Sequence, residues 1–172
     1  DHLKGKAFLD YPKSIQNGIL LHRKIDHFTD QHKLFKKNVS LLFPRFRHYS
    51  RVIVDMFFDH FLAAQWELYH TDSLEEFSSQ FYQLMQEYRG NLPNKTKIIL
   101  PIMSKYNWLL TYRTLEGLKR ILFQMSQRTR FDSNMTLAVV ELEKNYSKIC
   151  LDFNTFFSQL INFVQSEKAK LS

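Results

Sequence analysis

The chain is poor in the residues that break or cross-link a polypeptide. It has four glycines and four prolines in 172 residues. That is too few to punctuate a succession of short strands, and it favours helices. One cysteine, Cys150, excludes an internal disulfide. The scarcity of thiols suits a reducing compartment, so a cytoplasmic location is expected. No apolar run is long enough to span a bilayer. The richest, VIVDMFFDHFLAA, is interrupted by Asp55, Asp59 and His60, so stable membrane insertion is not expected. A Gly-rich phosphate loop, a GxSxG elbow and a CxxC pair are all absent, which removes the chemistries they serve. No nucleic-acid-binding motif occurs and the basic residues form no compact stripe, so nucleic acid is not the expected partner. The chain begins at Asp1 without Met or a signal pattern, and a segment upstream is expected to be missing.

What the sequence does contain is apolar and helical in pattern. Hydrophobic residues make up 44% and charged residues 24%, a composition that folds. The length suits a single domain, residues 1–172, with a sizeable core. The net charge of +7 suits an acidic partner. The expected fold is all-α, a single-domain helical bundle. One helix should run from Pro12 to Phe28 or Thr29, and a second from Tyr49 to His70. Ser73-Leu-Glu-Glu76 has a capping-box pattern, opening a helix that should stop at Gly90. Asn94 should cap a short helix that Pro101 ends or kinks, and Thr114 one reaching about Arg130. In the last helix Val139, Leu142, Tyr146, Ile149, Phe153, Phe156, Leu160 and Phe163 recur in steps of three and four, an amphipathic stripe.

Two of these helices carry ionisable residues on otherwise apolar lines. In the first, Ile15, Ile19, His22, Asp26 and Thr29 share a stripe, so His22 and Asp26 are one turn apart. His27 and His32 fall off that line and are expected at the surface. In the second, Asp55 and Asp59 lie on a stripe with Val52, Leu62 and Trp66, on a helix apolar nearly all round. Buried carboxylates one turn apart are costly unless a cation meets them. A divalent metal and an ion pair with Arg or Lys both answer that cost; a solvated His–Asp neighbour pair would also explain His22 and Asp26. Mixed His and Asp donors suit Mn, Fe, Zn or Mg. A basic cluster from Lys33 to Arg51 joins the two helices and would suit a phosphate-bearing substrate or an acidic protein.

Over nearly its whole length the chain resembles the acyl carrier protein phosphodiesterases, a variant branch of the HD-type metal-dependent phosphohydrolases. The marks are DHLKGK, GILLHRKIDHFTDQH, VIVDMFFDHFLAAQW, the NLP at Asn91 to Pro93, and WLLTYRTLEGL followed by SQR. The resemblance implies an HD-domain-like helical fold, and hydrolysis of the phosphodiester joining 4′-phosphopantetheine to a serine of acyl carrier protein, usually with manganese. Acyl carrier protein is then the partner. Asp1 matches the family's D-[FH]-[VL]-[RK]-G aspartate, His22 and Asp26 its HxxxD, Asp30 its T-D, and Asp55, Asp59 and His60 its DxxxDH. Metal ligands are expected among Asp1, His22, Asp26, Asp59 and His60. Asp55 is expected as a further ligand or, with Asp1, as a general base assisting attack of water on phosphorus. Arg23, Lys4 or Arg113 would hold a phosphate oxygen, and Asp30 would contact substrate. Family members carry a short histidine-containing segment ahead of the Asp1 position, and this sequence departs from that pattern. Two other functions fit the residues: an HD-type phosphohydrolase acting on nucleotides, and a helical binding module without activity.

Overall fold

The computed structural model describes residues 7–129 and 133–171. Asp1 and Lys4, both expected at the site, lie outside the described residues. Every described element is helical, and no strand occurs among the described residues. The α-helices are α1 (Lys13–Gln31), α2 (Lys33–Phe46), α3 (Ser50–Ala64), α4 (Leu74–Glu87), α5 (Asn94–Lys105), α6 (Trp108–Thr111), α7 (Leu115–Ser126) and α8 (Ala138–Leu171). Short 3-10 turns join several of them. Contacts gather the chain into two compact units, residues 1–41 with 146–172, and residues 42–145. The divisions fall inside α2 and α8.

In the first unit the expected stripe of α8 is the packing face. Ile149, Phe153 and Phe156 are buried, and Phe163 stacks on Phe28 of α1 with ring centroids 4.7 Å apart. The buried Asp152 carboxylate is met by two donors from α2: Lys37 Nζ at 2.8 Å and Asn38 Nδ2 at 3.1 Å. Such pairing is what makes a buried carboxylate tolerable. Lys24 pairs with Glu167 in the same unit. α2 itself is not read from the sequence, where its residues look like a basic linker. It forms because Phe35, Asn38, Leu42 and Phe46 recur at helical spacing and are all buried, leaving the lysines outside. His32 is also placed differently from expectation. It is half-buried, packed against Phe28 and Phe156. The Leu34 N–H donates to its Nδ1 at 3.3 Å. Its other nitrogen, Nε2, is therefore the protonated one and donates to Gln159.

The second unit is organised by α3, whose Ile53, Val54, Met56, Phe57, Phe58, Phe61 and Ala63 are buried. α3 ends at Ala64, short of the expected His70. Gln65 leaves helical geometry, a 3-10 turn follows at Trp66–Leu68, and the Trp66 indole donates to the Asp72 carbonyl at 2.8 Å. The capping box forms as expected. Ser73 Oγ accepts from the Glu76 N–H, and the Glu76 carboxylate accepts from the Ser73 N–H. α4 stops at Glu87, and Gly90 falls in a 3-10 turn. α5 runs through Pro101 to Lys105. Thr114 caps α7 through the Gly117 N–H at 3.0 Å. Gly117 is needed for a second reason: a Cβ there would lie 1.9 Å from the Thr111 carbonyl oxygen. Only glycine lets α7 start this close to the end of α6.

Candidate functional site

Within the first unit, α1 brings His22 and Asp26 together as helix spacing requires. Nε2 of His22 is 3.5 Å from an Asp26 carboxylate oxygen, and both side chains are about half exposed, at 55% and 52%. The sequence expectation that the pair continues a core stripe is corrected here. α1 has no buried residue, and its apolar line passes from half-buried Ile15 and Ile19 out to a solvent-facing pair. Arg23 places its guanidinium 4.9 Å from the centre of the Phe8 ring. Asp30 is half-buried and His27 exposed.

Within the second unit, Asp55 and Asp59 occupy the one face of α3 that is not buried. The expectation of two fully buried carboxylates is therefore corrected. Asp59 nevertheless differs from Asp55 in its surroundings. It lines a pocket of about 120 Å³ with Leu62, Trp66, Leu74, Phe77 and Tyr112. Solvent reaches the carboxylate through the pocket mouth, but the atoms around it are mostly apolar. Loss of hydration, and after it the charge of Asp55, push the Asp59 carboxyl up to about 7. Tyr112 faces the same charges. Burial first, then Asp59 and Asp55, raise its phenol well above the ordinary value, so the hydroxyl stays protonated and available as a donor.

His60, the residue after Asp59 on α3, is buried. Its Nδ1 lies 2.8 Å from the Tyr112 carbonyl oxygen. A carbonyl only accepts, so Nδ1 carries the proton and Nε2 the lone pair. Burial lowers the His60 pKa, against the opposing effect of that hydrogen bond. Arg113, next along the chain, forks onto two carboxylates, Glu67 at 2.7 Å and Glu75 at 2.9 Å. Tyr112 was not among the residues singled out from the sequence. The available signal was its place in WLLTYRTLEGL, where a bulky aromatic precedes the arginine and the helix cap.

Among the described residues no group of three or more His, Cys, Asp or Glu side chains is gathered closely enough to hold a metal ion. The donors come as pairs: His22 with Asp26, and Asp55 with Asp59. Their chemistry fits a divalent cation. Each pair offers oxygen or imidazole donors one helical turn apart, and a cation would offset both the lost hydration of the Asp59 carboxylate and its repulsion from Asp55.

Residues 1–160 match the family model described as acyl carrier protein phosphodiesterase. The chain is 26% identical to the acyl carrier protein phosphodiesterase of Photorhabdus laumondii over 171 residues, covering 99% of this chain and 84% of that protein. It is 24% identical to that of Klebsiella pneumoniae over 169 residues, covering 98% and 88%. It is likewise 24% identical to that of Yersinia pestis over 169 residues, with the same coverage. No solved structure matches significantly. No helix among the described residues is long and apolar enough to cross a membrane. With a family match along almost its full length and an all-helical fold, the chain belongs to the acyl carrier protein phosphodiesterase family.

Proposed function

We propose that this chain hydrolyses the phosphodiester of holo-acyl carrier protein, releasing 4′-phosphopantetheine and the apo-carrier, with a divalent metal, manganese foremost, as cofactor. The observation that carries this reading is Asp59, a carboxylate in an apolar pocket beside a second carboxylate, with its pKa pushed up to about 7. Such a group is unfavourable by itself and is relieved by a cation. The relatives' name supplies the substrate, and the net charge of +7 suits an acidic carrier.

The residues proposed as metal ligands are His22 and Asp26 in the first unit, Asp59 and His60 in the second, and Asp1, on their donor chemistry and their places in the family motifs. A divalent ion, when bound, offsets the charge on the phosphoryl oxygens and lowers the pKa of water. The chain's own residues do the rest. A carboxylate, Asp55 or Asp1, takes the proton from the attacking water as its oxygen bonds to phosphorus. The bond from phosphorus to the serine oxygen breaks, and that oxygen takes up a proton. Tyr112, kept neutral by its surroundings, can donate to a phosphoryl oxygen. Arg23 and Lys4 are proposed to hold the phosphate and Asp30 to contact substrate. Arg113 is proposed for the same task, in competition with Glu67 and Glu75 for its guanidinium.

The test is incubation with holo-acyl carrier protein, with Mn²⁺ and with a chelator, followed by intact mass. Loss of the whole phosphopantetheine mass with Mn²⁺, and none with chelator, is the expected result. An unchanged carrier under both conditions overturns the reading. Release of phosphate from nucleotides instead would favour the nucleotide phosphohydrolase, and no activity on either substrate the binding module.

A further inference from the structure

Tyr112 has two pockets against it. One contains Asp59. The other is a slot of about 350 Å³ between α6 and α7, walled by Trp108, Tyr112, Ile121 and Met125, with Gln124, Arg128 and Thr129 as its polar members. Its volume falls at the lower end of the range for small-molecule sites, about 300–1,000 Å³. Nothing in the proposed hydrolytic step uses it. We propose that this slot binds the pantetheine arm of the substrate, so that Tyr112 is the wall shared by the reacting phosphate and the chain attached to it.

The chemistry of the slot selects this occupant. The arm is uncharged, flexible and narrow, with a gem-dimethyl group, two amides and a terminal thiol. Indole, phenol, isoleucine and thioether walls suit its methyl and methylene groups. A carboxamide at Gln124 and a guanidinium at Arg128 supply donors for amide carbonyls, which would be costly to bury unpaired. No carboxylate lines the slot, so it holds nothing that would pair with a cationic ligand. Position argues the same way. Tyr112 lines both the Asp59 pocket and the slot, so a diester held at Asp59 has the slot next to it for one of its substituents.

The inference rests on the proposed phosphodiesterase function, and its test separates the two. The chain has two tryptophans, Trp66 and Trp108. In the Trp66→Phe protein, tryptophan emission, excited beyond the absorption of the eight tyrosines, therefore reports on Trp108 in the slot wall. Pantetheine, which lacks the phosphate, is titrated into this protein, with adenosine as the competing ligand class. A saturable change with pantetheine and none with adenosine is expected. Ile121→Phe, which fills the slot, should weaken pantetheine by at least about tenfold. Gln124→Leu, at an exposed side chain that tolerates change, should weaken it by about fivefold through one lost hydrogen bond. No saturable change, equal affinity in both variants and the parent, or a response to adenosine in place of pantetheine overturns the slot assignment. Pantetheine binding with holo-carrier left intact would uphold the slot and sink the hydrolytic function. Carrier cleavage with no pantetheine response would do the reverse.

Discussion

The Nδ1–H of His60 donates to the carbonyl oxygen of Tyr112 at 2.8 Å, across 52 residues of sequence. This bond ties α3 to the end of α6 and fixes the imidazole tautomer. It also sets the backbone that carries the Tyr112 phenol toward Asp59. His60→Leu leaves that carbonyl without its donor and should cost about 1–3 kcal/mol, measured by urea unfolding at pH 7.5. Burial lowers the His60 pKa, so below about 6.5 the native state binds fewer protons than the unfolded chain. The wild type should therefore lose more stability than His60→Leu when the pH falls from 7.5 to 5.5.

Asp59 has the opposite sign. Its native pKa of about 7 exceeds the ordinary aspartate value of 3.8, so the native state binds more protons between those values. In metal-free protein this contribution to stability is complete below about pH 4 and is lost as the pH rises through about 7. Thermal unfolding in chelator should show it, and Asp59→Asn should flatten that part of the profile. A wild-type profile identical to that of Asp59→Asn would count against the apolar setting of this carboxyl.

Two glycines in helices should respond in opposite directions to alanine. At Gly117 the new Cβ would meet the Thr111 carbonyl oxygen at 1.9 Å, backbone that cannot swing aside. Gly117→Ala should destabilise by about 1–3 kcal/mol as α7 is pushed off α6. At Gly18 a Cβ meets nothing within 4 Å, and Gly18→Ala should stabilise α1 by up to about 1 kcal/mol. Denaturant midpoints of the two variants decide both.

Arg113 bridges two exposed carboxylates, and exposed pairs contribute about 0–1 kcal/mol. Arg113→Ala should change stability by no more than that, while kcat/KM on holo-carrier falls less than in Asp59→Asn. A loss as large as that of Asp59→Asn would give Arg113 the principal phosphate-holding role.

The helical class, the Ser73 and Thr114 caps and the α8 stripe were legible because each depends on neighbours within a few turns. α2 was not, since its buried Phe35, Asn38, Leu42 and Phe46 are diluted by lysines and a proline. The site was legible as residue types and not as environments. The spacing of Asp55 and Asp59 put them on one face. That the face is open, and that Asp59 alone sits among Leu62, Trp66 and Phe77, follows from packing by residues beyond α3. The Tyr112 contribution depends on a hydrogen bond spanning 52 residues, which no local pattern encodes.

The central claim is that Asp59 is a metal ligand. Calorimetric titration of Mn²⁺ into the full-length chain at pH 7, in two buffers of different ionisation enthalpy, reads affinity and proton release together. A carboxyl with pKa about 7 is half protonated there, so the wild type should release about half a proton per ion bound. Asp59→Asn should bind at least about tenfold more weakly and release fewer protons. Equal affinity in the two proteins, or no saturable binding by the wild type, would contradict the account.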